Sequence, residues 1–160
     1  MENLLPLYTS KTDGQSLGFA AQFYQSLLMG DIDKAMEQMK AYFASIPYPD
    51  GGKEVLADMQ KSEYYYETIL YIVLSLMNVA VLTQVKSCRG RADAVLFSPH
   101  AIFVFEIKIN KPASAALKQI DDKGYMIPYS ADGRKLYKIG VSFSTKTRTV
   151  EDWDYKQQSI

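Results

Sequence analysis

Residues 90–110 read GRADAVLFSP and then HAIFVFEIKIN, Gly90 to Asn110, and the fold turns on them. Val, Ile, Phe and Ala dominate both runs, as in strands of a sheet covered on both faces. Four charges interrupt that pattern at two-residue spacing: Arg91 and Asp93 in the first run, Glu106 and Lys108 in the second. A charge inside an apolar strand is costly unless it is paired or bound to a metal.

A turn at Pro99-His100 with Ser98 paired to Ala101 sets a hairpin in which the numbers of opposite residues sum to 199. Val95 then faces Val104, Phe97 faces Ile102 and Leu96 faces Phe103. The same register predicts Asp93 opposite Glu106 and Arg91 opposite Lys108, with all four charges on one face at one end. Opposite side chains have Cβ atoms roughly 5 Å apart, where like charges repel. Two carboxylates held so close, beside two cations, form the arrangement of a divalent-cation site with a basic group in attendance. Pro-His is an unusual two-residue hairpin loop, since such loops favour residues that tolerate positive φ. A slip of one residue would turn every side chain to the other face and break up the apolar pairs, so the pattern itself specifies the register.

The rest of the composition bounds the answer. At 160 residues and 48% hydrophobic content the chain suits one domain with an appendage. Eighteen basic and eighteen acidic residues cancel, so any polyanion must be held by a local patch. The single cysteine, Cys88, excludes an internal disulfide and fits a reducing, cytoplasmic setting. The single histidine, His100, sits at the turn, which argues against paired-His zinc sites and a Ser-His-Asp triad. Ile69 to Leu82 is too short an apolar run to span a bilayer, and no signal peptide is visible, so no membrane partner is expected.

In order, residues 1–15 read as a lead-in. Residues 16–50 form a helical hairpin appendage: Ser16 caps a helix that Gly30 stops, and Asp31 caps a second carrying Ile32, Ala35, Met36, Met39 and Phe43 on one face. The main domain runs over 51–155, with 156–160 as a tail. It opens with a long helix from about Lys53 toward Asn78, whose charged and apolar halves meet near Glu67. Val79 to Lys86 is a first strand, and the hairpin supplies the next two. Lys111-Pro112 starts a helix containing Gln119 and ending near Gly124. Leu136 to Phe143 is a fourth strand, and Arg148 to Trp153 a short fifth before a fraying end. The helix after the third strand permits a crossover to a parallel fourth. The fold class is therefore α/β, a mixed central sheet flanked by helices with an N-terminal helical appendage.

Alternation puts Glu106 and Lys108 on one face of their strand, and the hairpin brings Asp93 alongside. Two carboxylates, with the Ile107 carbonyl, are hard oxygen ligands suited to Mg²⁺ or Mn²⁺. Such an ion activates water and stabilises charge in phosphodiester hydrolysis, and Lys108 suits a point-charge role beside it. Glu67 is either a Tyr-bonded surface acid or a third carboxylate near the sheet.

This pattern resembles the PD-(D/E)XK nuclease superfamily, with its restriction-endonuclease-like fold. It is most similar to the nuclease-like domain found C-terminal to AAA-ATPase-like domains in bacterial proteins of unassigned function. The residues that carry the resemblance are Gly90-Arg91-Ala92-Asp93, Phe105-Glu106-Ile107-Lys108, Ala116-Leu117-Lys118-Gln119-Ile120, Lys123-Gly124-Tyr125 and Ile139-Gly140-Val141-Ser142-Phe143. It covers about Tyr64 to Trp153, and the N-terminal helices match more loosely. The resemblance implies metal binding by Asp93 and Glu106, catalytic assistance by Lys108, completion of the site by Glu67, and a role for Gln119. Ala92 stands where the motif name has proline, and Tyr125 lies further from Gln119 than the helical Gln-to-Tyr spacing of some branches. It implies a divalent-metal-dependent nuclease acting on nucleic acid, DNA before RNA, with an upstream AAA-ATPase-like partner if the chain is an excised fragment. The alternatives are a weak or inactive nuclease-like module that binds nucleic acid or a partner ATPase domain, and an interaction domain whose charges are two cross-strand ion pairs, Asp93 with Lys108 and Glu106 with Arg91. Oligomeric state is left open.

Overall fold

The computed structural model describes residues 13–47, 62–75, 81–87 and 90–158. In chain order they form helices α1 (Asp13–Leu28), α2 (Ile32–Ala44) and α3 (Glu63–Ser75), then strands β1 (Val81–Ser87), β2 (Gly90–Phe97) and β3 (Ala101–Ile109). Helix α4 (Ala113–Asp122), a 3-10 turn (Ile127–Tyr129), β4 (Lys135–Ser144) and β5 (Thr149–Gln158) follow. The expected helix from Lys53 is described from Glu63, and its first part lies outside the described residues. The five strands make one sheet in sequence order, antiparallel throughout except for the parallel β3–β4 pair that α4 connects. This is the mixed α/β architecture expected. Among the described residues no helix is long and apolar enough to cross a membrane.

The hairpin register is the one the apolar pattern demands: Ala94 pairs with Phe105, Val95 with Val104, Leu96 with Phe103 and Phe97 with Ile102. The Pro-His loop closes without a residue of positive φ. Ser98 does the closing: its backbone N–H donates to the Ala101 carbonyl at 2.9 Å, and its hydroxyl accepts from the Ala101 N–H at 3.0 Å. Toward the charged end the β2–β3 pairing stops at Ala94. The ladder therefore stops short of the expected Asp93–Glu106 and Arg91–Lys108 rungs, while on the other edge of β2 Arg91 pairs with Lys86 of β1. The cause is visible at Asp93, whose carboxylate takes the Ile107 N–H at 2.7 Å in place of a backbone partner.

Two apolar layers clamp the sheet. Phe103, Phe105, Ile107, Ile139, Val141 and Phe143 face the helices, where Phe23, Met36, Phe43, Tyr66 and Ile69 meet them. Ile102, Val104 and Leu136 face α4 through Leu117 and Ile120. Helices α1 and α2 thus share one core with β3 and β4. Phe43 stands edge-on to Phe143 at 4.9 Å, and Tyr66 stacks on Phe143 at 4.0 Å. Asp31 caps α2 as expected, accepting from the Lys34 N–H. Helix α1 starts before Ser16, which is buried within it and bonded to the Tyr42 hydroxyl at 3.0 Å instead of capping.

Two close fits position α4 and β5. Gly140 on β4 leaves room for α4: a Cβ there would lie 2.5 Å from the Ala113 carbonyl oxygen and 3.0 Å from the Ala116 Cβ. The α4 N-terminus is fixed by Asp152, which accepts from the Ala113 N–H at 3.0 Å. Strand β5 continues to Gln158, whereas the sequence suggested an end at Trp153 and a frayed tail. It persists because Asp33 of α2 accepts from the Trp153 indole at 2.9 Å and from the Tyr155 hydroxyl at 3.1 Å, tying the strand to the helical layer. Leu136 then pairs with Gln158 at the far end.

Candidate active site

The site sits where β2 and β3 part. Asp93 comes from β2, and Glu106 and Lys108 alternate along β3, so the pleat gives the last two one face. The Lys108 ammonium donates to Glu106 Oε1 at 3.0 Å, an ion pair within one strand; neither of the cross-strand pairs considered from the sequence is present as such. Arg91 is exposed on β2.

Glu106 is 1% exposed, and its second oxygen, Oε2, finds no hydrogen-bond partner among the described residues. A buried carboxylate oxygen without a donor is unfavourable by several kcal/mol in general. The consequence appears in its proton affinity. Burial first, then the negative charge of Asp93, pushes the Glu106 carboxyl up to about 7, against the opposing pull of Lys108. Asp93 is raised too, mainly by burial, although the Ile107 N–H and Lys108 hold it back. Burial disfavours the Lys108 ammonium, but the hydrogen bond and charge of Glu106, together with Glu63 and Asp93, outweigh it and keep the amine protonated.

A divalent cation fits this donor set. The unpartnered Glu106 Oε2 and the neighbouring Asp93 carboxylate are hard oxygen donors whose mutual repulsion a cation would relieve. Among the described residues no three His, Cys, Asp or Glu side chains gather into a ready-made cage. Two carboxylates and a backbone carbonyl such as that of Ile107 suit Mg²⁺, which keeps much of its own water.

Glu63, in the first turn of α3, places a helical carboxylate 3.9 Å from Lys108 Nζ. Glu67, singled out from the sequence, lies one turn further on and is buried. The two are four residues apart and share a helix face, the signal by which Glu63 was open to detection. Gln119 is placed through a neighbour: its amide donates to the Tyr125 hydroxyl at 3.4 Å. The six-residue separation that looked too long is closed by a left-handed Gly124, φ 63°, which turns the chain back at the end of α4. Tyr125 in turn lies against Gly90, where a Cβ would stand 3.1 Å from its hydroxyl, at the start of the strand that carries Asp93. Asn110 was missed in the sequence. It adopts φ 53° and secures the end of β3, donating to the Thr145 hydroxyl at 2.9 Å and accepting from the Thr145 N–H at 3.0 Å.

A family model described as PD-(D/E)XK nuclease superfamily matches residues 61–153, the segment that holds this site. A protein of Azotobacter chroococcum mcd 1, described as an uncharacterized protein in the vnfD 5′ region, is 34% identical over 132 residues. That match covers 81% of this chain and 25% of the Azotobacter protein, so the chain spans about a quarter of that relative's length. No solved structure matches.

Proposed function

The chain belongs to the PD-(D/E)XK nuclease superfamily, and from that premise we propose that it hydrolyses phosphodiester bonds of nucleic acid, DNA in preference to RNA, with Mg²⁺ or Mn²⁺ held by Asp93 and Glu106. The observation that carries the reading is the buried, unpartnered Glu106 Oε2 beside Asp93, with a protonated Lys108 3.0 Å from the other oxygen. Asp93, Glu106 and the Ile107 carbonyl would hold the ion, with Glu63 or Glu67 on α3 as its outer carboxylate. Bound there, a divalent cation supplies Lewis acidity, lowering the pKa of water and offsetting charge on the phosphate oxygens.

The chain's own groups do the rest. Lys108 has three N–H donors, of which Glu106 Oε1 takes one. A second donor orients the attacking water or meets the charge that develops on the phosphoryl oxygens, where a fixed ammonium in a desolvated site is most effective. The Asp93 carboxylate grips the Ile107 N–H and so holds the two strands at a fixed separation around the reacting phosphate. Gln119, braced by Tyr125, approaches the same end of β2 from α4 and positions substrate there. An upstream AAA-ATPase-like domain, which the family resemblance implies for an excised fragment, belongs to the same proposal.

The test is a cleavage assay on labelled DNA and RNA with Mn²⁺, Mg²⁺ or EDTA. Metal-dependent nicking by the wild-type chain, lost in both Glu106→Ala and Lys108→Ala, is the expected result. Equal activity in the variants overturns the assignment of the site. Metal binding by calorimetry without any cleavage favours the second reading, a nuclease-like module that binds nucleic acid or an ATPase partner without cutting.

A further inference from the structure

Helix α3 contributes Glu63 to the site and continues away from it for three more turns. Tyr65, Tyr66, Ile69 and Leu70 form its buried face. Two other tyrosines point outward, Tyr64 at 67% and Tyr71 at 42% exposed, whereas most large hydrophobic side chains among the described residues are enclosed. At about 100° per residue the two lie within roughly 20° of each other around the helix axis, and about a quarter-turn from Glu63. Their separation along the axis is about 10 Å, two helical turns. Exposed cations flank the site residues in sequence: Arg91 on β2, two residues before Asp93, and Lys111 in the bend after β3, three residues after Lys108.

We infer that Tyr64 and Tyr71 form a stacking platform for the unpaired bases of single-stranded DNA, whose backbone is led into the Asp93–Glu106–Lys108 site. The inference deepens the nuclease reading by naming its substrate class, and it rests on that reading. Three observations favour this occupant over a protein partner. The stripe begins at the residue next to Glu63, which lies 3.9 Å from the Lys108 ammonium. Its two members are aromatic rings, and every base offers a face to a ring whatever the sequence. Arg91 and Lys111 are exposed cations, which complement a phosphate backbone and not a basic or apolar peptide. A duplex keeps its base faces stacked on one another and so gains nothing from the tyrosines.

The test measures binding of the full chain by fluorescence anisotropy in EDTA, so that no cleavage intervenes. The probes are a labelled single-stranded DNA dodecamer and the same sequence as a duplex. Base–aromatic stacking predicts that Tyr64→Ala/Tyr71→Ala weakens single-strand binding at least tenfold, roughly the effect of 1.4 kcal/mol. Duplex affinity should be little changed, and Tyr64→Phe/Tyr71→Phe, which keeps the rings, should bind as the wild type does. An unchanged melting temperature in both variants establishes that folding is not the cause. Wild-type affinity for the single strand in the alanine variant overturns the inference. So does equal loss on single strand and duplex, or no single-strand binding by the wild-type chain. Tyrosine-dependent binding by a chain that cuts nothing with Mn²⁺ supports the platform and overturns only the cleavage.

Discussion

Replacing Glu106 by glutamine should make the metal-free protein more stable, by an amount that grows with pH. The folded carboxyl takes its proton at about 7, against an ordinary value of 4.5. Because the folded value is the higher, the folded state binds the proton more tightly, and stability is fully present below pH 4.5. It is lost as pH rises through the interval to about 7. At about 1.36 kcal/mol per pH unit, that interval corresponds to roughly 3 kcal/mol above neutrality. Glutamine keeps an oxygen for the Lys108 ammonium and carries no charge to desolvate, so its stability curve lacks this decline. Urea unfolding of both proteins in EDTA from pH 4 to pH 8 measures the difference directly. The curves should lie closest near pH 4 and separate upward, the variant ahead by roughly 3 kcal/mol at pH 8. Adding Mg²⁺ or Mn²⁺ should then restore wild-type stability and leave the variant unmoved, since a ligand stabilises only the fold that binds it. Curves that stay parallel across this range would refute the reasoning. They would mean that Glu106 ionises in the fold as it does in water, and that its second oxygen has a donor.

Two further outcomes test the packing that holds the site. Gly140→Ala should lower stability by about 1–3 kcal/mol and the melting temperature by several degrees, because the added Cβ meets the Ala113 carbonyl, which belongs to backbone. An unchanged melting temperature would show that α4 does not sit this close to β4. The Tyr66 hydroxyl is buried without a hydrogen-bond partner among the described residues, and burial pushes its pKa up to about 12. Tyr66→Phe keeps the stack on Phe143 and removes the orphan group, so unfolding should cost about 1 kcal/mol more. A loss of stability of that size would reveal a hydrogen bond at this hydroxyl.

The hairpin was legible because everything that fixes it is local. Alternation puts Glu106 and Lys108 on one face, and the turn sets the pairs from Ala94–Phe105 to Phe97–Ile102; beyond Ala94 it is the Ile107 N–H on the Asp93 carboxylate, not a further rung, that ties Asp93 to β3. The order of strands around one helix dictated the parallel β3–β4 pair. Family-level function was legible for the same reason, since the motif lies on adjacent strands.

What escaped the sequence depends on how elements dock. Glu63 and Glu67 occupy one face of α3, and which of them meets Lys108 follows from the depth at which the Tyr65–Tyr66 face seats against Phe143 and its neighbours. A polar tail became most of a strand because Asp33, more than a hundred positions earlier, binds Trp153 and Tyr155. Gln119 and Tyr125 meet only because the chain reverses at Gly124. Above all, the sequence shows two carboxylates brought together but not that one oxygen is left buried without a donor. Composition and spacing fix which groups approach, whereas desolvation depends on everything packed around them, and desolvation is what raises the proton affinity of Glu106.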